Sequence, residues 1–199
     1  NRAPDEIYIE VKQRGDGVVM LQQANGIDLY EEDPTMEEMQ EWIESYHRPF
    51  HSRLKHAMKN AAFLIDGHSL LPYIPEWRKS FETGERADIS LGNREYCSCS
   101  AETMQFFREH YEALGYSVTL NDPYPGRYIL GVYANRLSTP GIQIEINRKL
   151  YMNNDTFEPF DDVIERMNTE FNNIVRDFVE WFEPKTDSRD RPMTDLSGN

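Results

Sequence analysis

The chain has 199 residues, 39% of them hydrophobic and 12% aromatic, enough for one packed core, and a single domain is the default reading. Its 21 Lys and Arg face 35 Asp and Glu, a formal charge of −14. That balance argues against nucleic acid or an anionic membrane as partner, while a few local arginines still allow a small anionic substrate in a pocket.

No apolar run approaches a membrane span and no signal peptide is visible. Cys97 and Cys99 form a C-x-C pair, the wrong spacing for a zinc knuckle, a redox motif or an unstrained disulfide. Two free thiols in a reducing cytoplasm are expected. The chain opens at Asn1 without Met, so an N-terminal part is expected to be missing. Residues 1–183 are expected to form one α/β domain, with 184–199 as a flexible tail.

In chain order, residues 7–11 (IYIEV) and 18–21 read as short strands around a Gly15-Asp16-Gly17 turn. Residues 25–34 are a polar loop. Thr35 is placed to cap a helix, with Glu38 completing a capping box. Met36, Met39, Trp42, Ile43, Tyr46, Phe50 and Leu54 recur at helical spacing to about Asn60, with a break or kink expected near Pro49. Residues 61–69 (AAFLIDGHS) read as a strand buried on both faces and ended by a Gly-containing turn. A helix feeding such a strand is an α/β signature, and ligands sit beyond the carboxyl ends of such strands.

Residues 70–99 read as a long irregular region. A helix capped by Ser100 and closed by Gly115 follows, then a strand at 116–120 and a turn-rich loop. Residues 128–133 are a short apolar stretch, and 141–147 (GIQIEIN) form a strand. The last helix spans about 159–182, with Phe160, Val163, Ile164, Met167, Phe171, Ile174, Val175, Phe178 and Phe182 on one stripe.

His68 is a candidate metal ligand, and Asp66, two residues back, would share its face and could tune the imidazole. The alternative is a hydrogen-bonded turn histidine. On the second strand Ile142, Ile144 and Ile146 face one way and Gln143, Glu145 and Asn147 the other. Glu145 suits a general base if partly buried; otherwise that row is a solvated polar face. His47, His51 and His56 lie on the predicted helix, but Pro49 separates the first two and no H-E-x-x-H pattern is present. They read as structural, with His51 packed and the others at the surface. Arg127 and Arg2 are candidate carboxylate clamps, against the plain reading of solvated arginines.

Several short segments, in order, carry a resemblance: NRAPD at 1–5, YHRPFH at 46–51, DGHS at 66–69, ADISLG at 87–92, YPGRYI at 124–129 and GIQIEINRKLYM at 141–152. The chain resembles the N-formylglutamate amidohydrolase family, within the wider zinc carboxypeptidase and aspartoacylase class. The resemblance implies a three-layer α/β fold with a mixed, largely parallel central sheet flanked by helices. It implies a zinc-dependent hydrolysis of N-formylglutamate to formate and glutamate, with His68 as the last zinc ligand and Glu145 as general base and proton shuttle. Asn1 and Arg2 match the pair that holds a substrate carboxylate in the wider class, and Arg127 is added to that clamp by inference from the residue itself.

Two departures stand out. The first two metal ligands of the family belong upstream of Asn1, and Gly131 stands where the family has an arginine. A related hydrolase of another N-acyl amino acid or small peptide, and a non-catalytic binding protein on the same fold, are the alternatives these departures leave open.

Overall fold

Residues 17–23, 26–74, 85–135 and 137–182 are described by the computed structural model. Four strands form its sheet: β1 (Leu64–Leu70), β2 (Ile89–Gly92), β3 (Val118–Leu120) and β4 (Gly141–Asn147), in the order β1-β4-β2-β3. The pairs β1–β4 and β2–β3 are parallel and β2–β4 is antiparallel. Helices α1 (Met36–Trp42) and α2 (Arg48–Ala57) precede β1. Helix α3 (Ala101–Ala113) links β2 to β3, α4 (Tyr128–Tyr133) links β3 to β4, and α5 (Asp161–Trp181) follows β4.

One sheet face is apolar. Ile89, Leu91, Ile142 and Ile144 meet Met104 and Phe107 of α3 and Ile174 and Phe178 of α5. Burying each such side chain contributes roughly 1.5–3 kcal/mol before entropy is subtracted. On the other face, Ile129 and Leu130 of α4 pack on Leu64, with Leu54 of α2 and Met58 just after it also in the cluster. Helices on both faces of a mixed, mostly parallel sheet give the three-layer α/β architecture expected.

Local chemistry explains the helix ends. Glu38 N–H donates to Thr35 Oγ1 at 3.2 Å and Thr35 N–H donates back to the Glu38 carboxylate at 2.8 Å, a complete capping box. Thr103 N–H donates to Ser100 Oγ at 3.2 Å, and Gly115, at φ +91°, ends α3. The kink expected at Pro49 takes the form of a widened π-helical turn, Ile43–His47, between α1 and α2. Proline lacks an N–H and its ring crowds the carbonyl four residues back, and a wider turn relieves both.

The structure corrects several expectations. The DGHS segment lies within β1, because pairing with β4 continues from Leu64↔Gly141 to Leu70↔Asn147. Among the described residues β1 lies at the sheet edge, and most of its residues are only half-buried, short of the full burial expected on both faces. The region at 70–99 contains β2, whose four residues hold only two apolar side chains, too few to show a period. Residues 18–21 form no strand; the nearest pairing is an isolated bridge between Gln22 and Asp28. The stripe on α5 is deeply buried only at Ile174 and Phe178. Towards the helix start, Ile164, Met167 and Phe171 instead border a cavity of about 430 Å³ against Ile65, Ile144 and Ile146. The strand expected at 7–11 and the tail at 184–199 lie outside the described residues.

Candidate functional site

Strand alternation builds the site. Asp66 and His68 of β1 share a face with Gln143, Glu145 and Asn147 of β4 and with Ser90 of β2. The register sets His68 beside Glu145 and Ser90 on its other side, with Asp66 beside Gln143 one row below. This polar row is not solvated. Glu145 and Gln143 are each 6% exposed, Ser90 1% and Asn147 0%.

Loops bury it. A methyl group on Gly92 would lie 2.7 Å from the Pro125 carbonyl carbon and the Tyr124 oxygen, so only glycine admits the residue 124–126 loop at this distance. Arg86, itself 5% exposed, donates from Nη1 to Leu71 O at 3.0 Å and stands 5.6 Å over the Tyr124 ring.

Glu145 Oε1 accepts from Gln143 Nε2 at 2.9 Å. Burial pushes the Glu145 carboxyl above the usual carboxylate range; Asp66 adds to the rise, while His68, Arg86 and Arg148 oppose it. A carboxylate shifted this way holds a proton more readily, which is the direction a general base at neutral pH requires. His68 Nε2 and Asp66 Oδ1 are 3.0 Å apart. That hydrogen bond is the main cause of a raised His68 pKa; burial opposes it, and the Asp66 and Glu145 charges reinforce it. With Nε2 donating to the carboxylate, neutral His68 keeps Nδ1 as its lone-pair nitrogen. Metal-bound imidazoles commonly have such a carboxylate behind them.

The donor type suits zinc, but the donor number does not. Among the described residues, no group of three or more His, Cys, Asp or Glu side chains is arranged to hold a metal ion. His68 therefore supplies one donor of a set these residues do not complete.

Arg127 is exposed and precedes α4. The adjoining Gly126 lies over Gln143: a methyl group there would be 3.6 Å from Gln143 Cβ. Gly126 therefore borders the Glu145 face, and Arg127 follows it in the chain. Asn1 and Arg2 lie outside the described residues. For the histidine series, one expectation changes. His51 Nδ1 meets the Tyr133 hydroxyl at 2.8 Å, and His56 is exposed. His47, expected at the surface, is half-buried, its ring 4.2 Å from that of His51, four residues on along the same helical run. Both cysteines are free, Cys97 exposed and Cys99 buried.

Sequence reading missed Arg86, Arg148 and Ser90, and placed Gln143 on the Glu145 face without giving it a role. Gln143 was legible as the alternation partner of Glu145. The two arginines carry no local pattern that separates them from solvated ones, and Ser90 required β2 to be recognised.

A profile of the N-formylglutamate amidohydrolase family matches residues 1–152. The solved N-formylglutamate amidohydrolase from Ralstonia eutropha JMP134 is 24% identical and superposes with a TM-score of 0.73, over 85% of this chain. The chain spans 62% of that protein's length, and at this identity the likeness speaks for the fold. No curated protein is similar enough to count as a match. With the family profile covering 152 of 199 residues, the chain belongs to the N-formylglutamate amidohydrolase family.

Proposed function

We propose that the chain carries the catalytic face of an amidohydrolase that cleaves the formyl amide of N-formylglutamate to formate and glutamate. Family membership supports the reaction class, and one observation carries the residue assignment: a buried carboxylate, Glu145, is register partner to the carboxylate-backed imidazole of His68.

Glu145 takes a proton from the attacking water as the new carbon–oxygen bond forms. It returns that proton to the nitrogen as the carbon–nitrogen bond breaks, so that formate and a free amine leave. Gln143 donates to Glu145 Oε1 and so fixes the orientation of the carboxylate. Arg127, at the rim, pairs with the anionic substrate and orients the amide towards Glu145. Asp66 fixes the orientation of the His68 ring. Zinc is proposed as the cofactor, with His68 as one ligand; when bound, it supplies Lewis-acid polarisation of the carbonyl and a more acidic water. The substrate is a small anionic N-acyl amino acid. No described helix is long and apolar enough to cross a membrane.

Glu145→Gln is the decisive test, in the natural chain with formate release as the readout. Turnover should fall about 10²- to 10⁴-fold, the usual size of a general-base contribution. Stability at neutral pH should hold or rise, because burial opposes the Glu145 charge. Near-normal turnover removes Glu145 from the mechanism. His68→Ala, followed by metal analysis, should lower zinc content, and unchanged stoichiometry removes His68 from the ligand set.

A further inference from the structure

Gly131 of α4 has an unusual neighbour. A methyl group placed on it would lie 3.4 Å from Arg94 Cζ and 3.6 Å from both Nε and Nη1. The Arg94 guanidinium therefore lies against the bare backbone of residue 131, at van der Waals distance from where a first side-chain carbon would sit. Gly131 N–H donates to Arg127 O at 2.7 Å, so the guanidinium lies within one helical turn of the Arg127 backbone.

The loop that delivers Arg94 is firmly set. Arg94 N–H donates to Pro125 O at 2.6 Å, joining the loop after β2 to the loop that carries Arg127. Asn93 N–H donates to Asn121 Oδ1 at 3.0 Å, and Asn121 Nδ2 donates back to Asn93 Oδ1 at 3.0 Å. Arg94, Glu95 and Tyr96 are held at φ 52°, 53° and 69°, three successive left-handed residues that none of these side chains favours. Both arginines are exposed, and among the described residues neither has an ion-pair partner. In a chain of net charge −14, two guanidinia on tethered loops, without ion-pair partners among the described residues, form a local positive site.

We propose that Arg94 and Arg127 together form a carboxylate clamp at the Gln143 end of the Glu145 face, and that its ligand is the side-chain carboxylate of an acidic N-acyl amino acid. The proposal rests on the amidohydrolase reading for its substrate and on geometry for its site. Gln143 and Glu145 are two residues apart on β4, about 7 Å along the strand. A scissile amide at Glu145 thus leaves an acidic side chain of two or three carbons pointing towards the clamp. Arginine's planar fork suits this task, since it pairs with a carboxylate through two parallel hydrogen bonds.

Calorimetric titration with L-glutamate and with its neutral isostere L-glutamine tests the clamp. The wild-type protein should bind glutamate more tightly. Arg94→Gln should shrink the glutamate-to-glutamine affinity ratio about 10- to 100-fold, the loss of a charge-assisted contact. Gly131→Leu should shrink it too, by displacing an unaltered guanidinium, and Arg94→Lys should retain part of it. A wild-type protein that does not discriminate, or a ratio unchanged in Arg94→Gln, overturns the clamp. Formate release from N-formylglutamate is read separately. Release with an unchanged ratio leaves the enzyme reading standing and removes Arg94; discrimination without release leaves the clamp and removes the enzyme reading.

Discussion

Ile142, Ile144 and Ile146 point from β4 towards the side covered by α3 and α5, while Gln143, Glu145 and Asn147 point from the same strand into loops. Both rows leave water, by different means. The isoleucines are covered by hydrocarbon, an interaction without direction that tolerates small shifts. The polar row is covered by groups that must each find a partner. Asn147 Nδ2 donates to Ala87 O at 3.0 Å, Ser90 Oγ to Asp122 O at 2.7 Å and Gln143 Nε2 to Glu145 at 2.9 Å. Such bonds add little net stability but are costly to leave unmade. Stability therefore resides mainly in the isoleucine row, and the groups proposed for chemistry lie in the polar one.

The contrast breaks most sharply at Phe178. It is 3% exposed, with rings of Phe63, Phe106 and Phe107 within 5.4 Å of its own. Phe178→Ala should cost about 3–5 kcal/mol in urea unfolding. A loss below about 1 kcal/mol would show that the apolar face does not carry the fold. On the other side, Gly92→Ala forces a methyl group against the Pro125 backbone and should cost about 1–3 kcal/mol. It should also lower turnover, because the displaced loop continues into Arg127; a stability loss with full activity would detach that loop from the site.

The smallest effect is expected at Asp88, which ties the starts of β2 and β3 to the segment after β4. Its carboxylate accepts from Ser117 N–H at 3.0 Å and Ser117 Oγ at 2.7 Å and pairs with Lys149 at 3.0 Å. Burial alone would raise its pKa, but Ser117 and Lys149 together hold it below the ordinary carboxylate value. An acid with a depressed folded-state pKa contributes its stability above the unfolded value, about 3.9, and loses it as pH falls through the folded one. Asp88→Asn should therefore flatten the acid side of a melting-temperature profile. An unchanged profile would mean that this link carries no pH-dependent stability.

Much of the frame was legible in residue order. The Thr35–Glu38 capping box, the Ser100 cap and the Gly115 stop act through bonds a few residues apart, so local sequence determines them. The span of β4 and the separation of Glu145 from its flanking isoleucines followed from a period of two. The extent of β1 did not, because Gly67 and Ser69 look like a turn until β4 pairs with them. Arg94 gave no signal at all: Gly131, against which its guanidinium lies, is 37 positions away in the chain.

His68, Asp66 and Glu145 show where the division falls. Sequence alone determined that Asp66 and His68 share a face, since alternation is a property of any extended chain. It determined that Glu145 opposes the isoleucines for the same reason. Only the tertiary structure decided that the two strands are neighbours in a register that sets His68 beside Glu145. Only packing decided that the polar row is buried, since burial depends on segments at residues 85–88 and 121–127 closing over it. Alternation fixes direction along a strand; what lies in that direction is supplied by residues far away in the chain.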